Sequence, residues 1–310
     1  MIRIEENVVL APYTSFRVGG QARYFVAVTS TEELQEALTQ AKAADWPVFI
    51  LAAGSNVIVS SLGFDGLVIQ VKIAGYSTEG NIITSGAAEL MSTLVDASIG
   101  QGLAGLEWAG GLPGTFGGAI RGNAGAFGGE IKDSIATVTS VHQDSHEITT
   151  RHNNECQFGY RESIFKTKPN EIIISATVQL KSGDKEELRK IADDHISYRQ
   201  THHPLEYPNS GSIFKNTPVE KVPADILPQF KDVIKTDPFP VVPTAKIIAD
   251  AGLSGTQIGQ AQVSTKHTNY IVNLGGATGE DIVGLINKVK EVVQTKFGIT
   301  LEVEPELLGF

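Results

Sequence analysis

Between residues 100 and 129 glycine recurs every few positions, with Leu103, Leu106, Trp108, Leu112 and Phe116 set among the glycines. Lacking a Cβ, glycine allows turns and close approaches that other residues obstruct. The stretch is too long for a simple turn, and long irregular segments in compact proteins are either functional or disordered. The interleaved apolar side chains favour an ordered segment. Backbone brought close to a ligand is the expectation, on a scaffold that the rest of the chain must supply.

At 310 residues the chain exceeds the usual size of a single core, so two or three small domains around a shared cleft are expected, and 41% apolar residues suffice to fill them. A formal charge of -10 and a pI near 5.2 argue against a nucleic-acid partner, which calls for a basic field. An anionic substrate must therefore be met by local cations. Cys156 is the single cysteine, which excludes an internal disulfide and a cysteine-rich metal site. Met1 to Glu6 has no apolar signal core and no run approaches 18 apolar residues. A cytoplasmic chain without membrane contact, and a monomer, is expected.

Arg23 to Val28 reads as a strand. Ser30 and Glu33 form a capping box for a helix that carries Leu34, Ala37, Leu38 and Ala41 and is ended by Pro47. Val48 to Ala52 is a continuous apolar run, predicting a strand buried on both faces, and it leads directly into Gly54-Ser55-Asn56, where a ligand loop belongs. A second sheet begins at Ile82 to Thr84, a helix covers 88–99, strands return at 135–141 and 171–180, and 184–199 is helical. Further on come a loop at 204–220, a helix near 244–251, a strand from Tyr270 to Asn273, and a strong helix. That helix opens on Thr278 and Asp281 and shows Ile282, Leu285, Ile286, Val289, Val292 and Val293 on one face. A last strand is expected at 300–304, with Glu302, Glu304 and Glu306 on one face, about 7 Å from one to the next.

Gly100-Gln101-Gly102-Leu103-Ala104-Gly105 matches the dinucleotide pattern, but that mechanism needs a strand before the glycines and a helix after them. The order here is reversed, so the glycines read as a helix end. Ala53-Gly54-Ser55-Asn56, the segment Pro113 to Ala119 and Asn123 to Ala126 carry more, because the backbone N–H groups of such loops form anion nests suited to a pyrophosphate. Packed turns between strands are the alternative for either loop alone. His195, His202 and His203 lack a carboxylate or cysteine at ligand spacing and are expected as exposed loop residues, with no metal site.

Six motifs then stand in order along nearly the whole chain: Thr14-Ser15-Phe16-Arg17-Val18-Gly19-Gly20, Gly54-Ser55-Asn56, Pro113 to Ala126, Tyr160-Arg161-Glu162-Ser163, Gly211-Ser212-Ile213-Phe214-Lys215-Asn216, and Leu301-Glu302-Val303-Glu304. In this order they resemble the UDP-N-acetylenolpyruvoylglucosamine reductases. The resemblance implies an α+β chain, with FAD held by a PCMH-type FAD-binding fold of two α+β units and a C-terminal α+β substrate-binding domain. Expected limits are 1–72 with a returning tail at 300–310, 73–200, and 201–299.

It further implies NADPH as hydride source and a UDP-sugar as substrate. Arg161 is the implied stabiliser of the enolate, Ser212 the proton donor, and Glu304 the carboxyl group assisting Arg161. Ala53, Gly54, Ser55, Asn56, Gly114, Thr115, Gly118 and Ala119 are implied flavin contacts, and Lys215 and Asn216 substrate contacts. These residue types suit the chemistry. Hydride addition to an enol ether leaves charge on the adjacent carboxylate, and a fixed guanidinium stabilises that charge most in the transition state. A serine can protonate the carbon when held within hydrogen-bond reach.

Plainer readings stand beside these: Arg161 as a surface ion-pair partner, Ser212 as a turn cap, the glutamates as a solvated face, and Glu302 as competitor of Glu304. Residues 1–141 contain no histidine, so the covalent histidyl link of related flavin oxidases cannot form at the Gly54-Ser55 loop, and FAD is expected to be bound non-covalently. Ala52-Ala53 is poorer in glycine than the family's loop, and Ala245-Lys246-Ile247-Ile248 replaces its bulky aromatic segment. Tyr160 to Pro204 leaves no room for the tyrosine insertion of longer members, which favours the shorter second type. Two other functions stay open: another FAD oxidoreductase of this fold using oxygen on a sugar or hydroxy acid, and a catalytically silent flavin-binding protein.

Overall fold

The computed structural model describes residues 2–236 and 239–310, and the chain divides into two compact units. The first comprises residues 1–8, 22–54 and 64–199, and the second residues 9–21, 55–63 and 200–310.

In the first unit the strands Glu5–Val9, Gln21–Val28, Phe64–Val71 and Val48–Leu51 lie side by side in that order, the last three running parallel. Helix α1 (Thr31–Ala43) starts where Ser30 accepts from the Glu33 amide and buries Leu34, Ala37, Leu38 and Ala41. Only half of the expected capping box forms there. The Glu33 carboxylate accepts from the amide and hydroxyl of Thr29, at 2.6 and 2.8 Å, instead of closing on Ser30. The Val48–Leu51 strand also departs from expectation, because it is an edge strand paired only with Phe64–Val71, and Val48, Phe49 and Ile50 are half-buried. Its apolar side chains pack on the core from that edge, with Phe49 edge-on to Phe64 at 6.4 Å. A continuous apolar run does not distinguish that arrangement from a central strand.

A second, antiparallel sheet of the same unit orders Ile148–His152, Ile135–His142, Glu171–Gln179, Ile82–Gly86 and Tyr76–Glu79. Helix α2 (Met91–Gly100) ends at the first glycine of the dinucleotide-like pattern, and Leu103–Ala104 then pairs with Lys181–Ser182, so those glycines close a helix. The glycine-rich stretch is ordered and contains a short helix, α3 (Phe116–Arg121), unforeseen from sequence because glycine disfavours helices. Part of its glycine serves packing. A Cβ on Gly110 would meet the Ala192 carbonyl oxygen at 2.4 Å, and one on Gly129 would meet Trp108 at 2.3 Å. Helices α4 (Ile164–Thr167) and α5 (Lys185–His202) complete the unit.

The second unit has its own core, which includes Phe16, Ile58, Phe214, Phe230, Ile247 and Ile248. Helix α6 (Thr244–Asp250) supplies the two isoleucines, so the Ala245 to Ile248 segment serves that core, while Lys246 points out to Asp250. Helix α7 (Gly279–Phe297) begins with the full Thr278 and Asp281 capping box and buries Ile282, Leu285, Ile286, Val289 and Val293. The strands Gln257–Ile258, Ala261–Val263 and Ile271–Asn273 form an antiparallel sheet. Glu306–Leu308 pairs in parallel with Val57–Val59. The expected strand at 300–304 is replaced by an isolated bridge at Val303, so Glu302, Glu304 and Glu306 do not share one regular strand face. No helix among the described residues is long and apolar enough to cross a membrane.

Candidate active site

Arg161 occupies the third position of a four-residue turn in the first unit, closed by Gly159 and Glu162, which exchange amide bonds at 3.0 and 3.2 Å. Its φ is 57, a region that favours glycine or asparagine. The turn is held from both sides. Ser163 is buried and donates to the Arg121 carbonyl at 2.7 Å, and the Asn123 side chain donates to the Gly159 carbonyl at 2.8 Å. The guanidinium is half-buried and donates through Nη2 to the Gly125 carbonyl at 2.8 Å and through Nη1 to that of Asn123 at 3.5 Å. It therefore bonds to backbone in a tethered loop.

Of the expected flavin contacts, Ala53, Gly54, Gly114, Thr115, Gly118 and Ala119 belong to the first unit. Thr115 caps α3 by accepting from the Gly118 amide at 3.4 Å, while Phe116 and Gly117 donate to Glu89 and Ala87, so these amides are already engaged. A Cβ on Gly118 would meet nothing nearer than the Thr115 hydroxyl at 3.4 Å, which leaves an open face there. The amides of Ala53, Gly54, Gly114 and Thr115 have no partner among the described residues. The same holds for Ser55 and Asn56, which belong to the second unit. Unpaired successive N–H groups are the donor set that a pyrophosphate requires, and the first unit presents them at Ala53-Gly54 and at Gly114-Thr115, which fits an FAD. Ala53 itself is exposed.

In the second unit the Ser212 motif and the tail meet. Phe214 and Val303 form an antiparallel bridge, with the Glu304 amide donating to the Ile213 carbonyl at 2.8 Å and the Lys215 amide donating to the Glu302 carbonyl at 2.9 Å. The pairing puts Ser212 one residue from the partner of Glu304, and both are half-buried. The other edge of the segment is occupied by Asn269, which sequence reasoning missed. Its side chain accepts from the Phe214 amide at 3.1 Å and donates to the Phe214 carbonyl at 2.8 Å, and its carbonyl accepts from Ile213 at 2.8 Å. No local pattern signals such a clasp, since it spans 55 residues. Buried Phe214 anchors the segment, a burial worth roughly 1.5–3 kcal/mol.

Glu302 lies between Lys221 and Lys215, paired with both, and the hydrogen bond from Lys221 holds its carboxyl below the ordinary range despite the opposing effect of burial. A carboxylate kept ionised by two ammonium groups is a poor proton source. Asn56 donates from its side chain to the Glu304 carbonyl at 3.3 Å, and Asn216 accepts from the Thr244 amide at 3.2 Å, which ties it to the start of α6.

The Thr14 to Gly20 motif is packed at Phe16 and Gly20. Phe16 is buried, and a Cβ on Gly20 would lie 2.2 Å from the Ser61 carbonyl oxygen. The histidines are not all exposed loop residues. His195 stacks on Phe127 within α5, and His203 hydrogen-bonds the Tyr270 hydroxyl through Nδ1 at 3.0 Å. No metal-binding group of side chains occurs among the described residues.

Two family models match the chain: an FAD binding domain over residues 22–151 and the C-terminal domain of UDP-N-acetylenolpyruvoylglucosamine reductase over residues 203–308. The chain is 35% identical to the UDP-N-acetylenolpyruvoylglucosamine reductase of Clostridium novyi, an alignment that covers 99% of this chain and 92% of that protein. It is 36% identical to the reductase of the same name from Lactobacillus delbrueckii subsp. bulgaricus, over 99% and 95%. Among solved structures it is similar to the UDP-N-acetylenolpyruvylglucosamine reductase of Thermus caldophilus, with a TM-score of 0.79, 29% identity, and coverage of 99% of this chain and 100% of that one.

Proposed function

Because the chain belongs to the UDP-N-acetylenolpyruvoylglucosamine reductase family, where its 310 residues fit the shorter second type, we propose that it reduces the enolpyruvyl ether of UDP-N-acetylglucosamine to UDP-N-acetylmuramate. It does so as an FAD-dependent oxidoreductase of peptidoglycan precursor synthesis, with NADPH as the reductant. The observation that carries the reading is the bridge between Phe214 and Val303, which supports a serine and a carboxyl group acting at one place.

The amides of Ala53 to Asn56 and of Gly114 and Thr115, with the open face at Gly118, hold the FAD, and no histidine precedes residue 142 to make the attachment covalent. Residues 1–72 with the tail at 300–310 and residues 73–200 carry the cofactor, and residues 201–299 carry the sugar nucleotide. FAD held there would, once reduced, supply the hydride that the enolpyruvyl double bond takes up. Arg161 meets the substrate carboxylate with its planar fork, and its attraction strengthens as negative charge develops there. Ser212 donates the proton that completes the addition, so one hydride and one proton together saturate the double bond. Glu304 assists Arg161, and Lys215 and Asn216 hold the UDP-sugar. Lys215, backed by Glu302, is a local cation of the kind that an acidic chain must present to an anionic substrate.

Ser212→Ala tests the assignment in separate half-reactions under anaerobic conditions. NADPH should still bleach the flavin, and the enolpyruvyl sugar nucleotide should fail to restore its colour. Ordinary steady-state turnover by this variant would remove Ser212 from the role.

A further inference from the structure

The loop that receives the Arg161 guanidinium is a two-residue hairpin in the first unit, in which Gly125–Ala126 pairs with Gly129–Glu130. Its turn residues, Phe127 and Gly128, have φ of 51 and 84. Positive φ at both positions matches the twist of a hairpin, and asparagine or glycine ordinarily fills the first of them. A phenylalanine there is strained. Arg161, at φ 57, lies in the left-handed region as well and bonds to the Gly125 carbonyl of this hairpin, so two strained residues, Phe127 and Arg161, belong to one pair of joined loops. Strain gathered in this way persists only where the surroundings over-determine it, and such places are commonly functional.

What holds Phe127 is α5. Its ring stacks on His195 with centroids 4.0 Å apart and planes 5° from parallel. Tyr198 meets it edge-on at 5.5 Å, and the Arg199 guanidinium carbon is 5.1 Å from its centroid. Arg199 is itself fixed by its Nε bond to the Gly110 carbonyl at 2.9 Å. Phe127 nevertheless stays 41% exposed, so apolar burial alone is a weak reason for a strained aromatic.

We propose that Phe127 is a positioning residue. Docked on α5, it fixes the hairpin whose Gly125 and Asn123 carbonyls orient the Arg161 guanidinium. The inference rests on the role of Arg161 proposed above and adds what sets the place of its charge.

Phe127→Asn gives the turn its preferred residue while removing the ring. The expected result is an unchanged or higher Tm, with amide hydrogen exchange over residues 124–130 at least tenfold faster than in wild type. In the FAD-loaded enzyme, flavin reduction by NADPH should stay within twofold. Reoxidation by the enolpyruvyl sugar nucleotide should slow at least tenfold in kcat, with a smaller change in KM. Phe127→Trp should restore both exchange and reoxidation, and His195→Ala should reproduce the defect with the turn untouched. Wild-type exchange and reoxidation in Phe127→Asn would overturn the proposal. So would a fall in Tm accompanied by equal losses in both half-reactions that Phe127→Trp does not restore. If the wild-type flavin is not reoxidised by this substrate at all, the functional reading fails, and the exchange comparison still decides whether α5 holds the hairpin.

Discussion

Removal of the Glu280 carboxylate should unfasten the start of α7 from the loop after Val57–Val59, and the loss should depend on pH in a defined direction. Glu280 accepts from the Ser60 hydroxyl at 2.7 Å, the Ser61 amide at 2.9 Å and the Ser61 hydroxyl at 2.5 Å. Burial favours its neutral form, but the hydrogen bonds from Ser61 and Ser60, with the amides of Glu280 and Ser61, outweigh that and bring its pKa down to about 2. At about 1.4 kcal/mol per tenfold change in proton affinity, such a shift corresponds to roughly 3 kcal/mol of folded-state preference for the charged form. Glu280 is exposed, and solvent screening reduces this to about 1–2 kcal/mol. Because the folded pKa is depressed, the stabilisation is complete above the unfolded value and is lost as pH falls towards 2. Glu280→Gln should therefore lower the urea midpoint at pH 7 by an amount worth about 1–2 kcal/mol. The gap between variant and wild type should close as the pH is lowered from 5 to 2.5. Parallel pH profiles of the two proteins would refute the reasoning, because a lost packing contact does not titrate.

The two tail glutamates are told apart by kinetics: Glu304→Gln should lower kcat for flavin reoxidation by tenfold or more, on the order of 1.4 kcal/mol. Glu302→Gln should act chiefly on KM by releasing Lys215 and Lys221, and a collapse of kcat in that variant would exchange the assignments. Cys156 is buried, and burial pushes its thiol up to about 11 against the opposing pull of Arg151. At pH 8 its reaction with a thiol reagent should be about two orders of magnitude slower than that of an exposed cysteine, becoming normal in denaturant. Rapid stoichiometric labelling of the folded protein would contradict this.

Much of the fold can be read in local pattern. The caps at Ser30 and Thr278 and the apolar spacing behind them mark α1 and α7, because both signals arise within a few residues of each other. Edge and centre are different, since Val48 to Leu51 reads the same in either place and only the sheet order decides. The six motifs point to the candidate site, but its geometry is long-range. The Asn269 clasp and the Phe214 and Val303 bridge link residues far apart in sequence, and no window along the chain contains both partners. The left-handed turn at Arg161 was hidden for another reason. An arginine carries no propensity for positive φ, and the strain is supported by Ser163 and Asn123.

The bridge at Phe214 and Val303 also bears on how the chain matures during synthesis. Residues 213–215 emerge from the ribosome well before residues 302–304, and the Asn56 contact to Glu304 spans 248 positions. Until then the tail-facing edge of the Ser212 segment is open, and such unpaired edges are where nascent chains aggregate. The second unit can therefore assemble its serine and its carboxyl group only as a late event. A stalled chain ending before Val303 would carry α1 to α7 and still leave the tail-facing edge of the Ser212 segment unpaired.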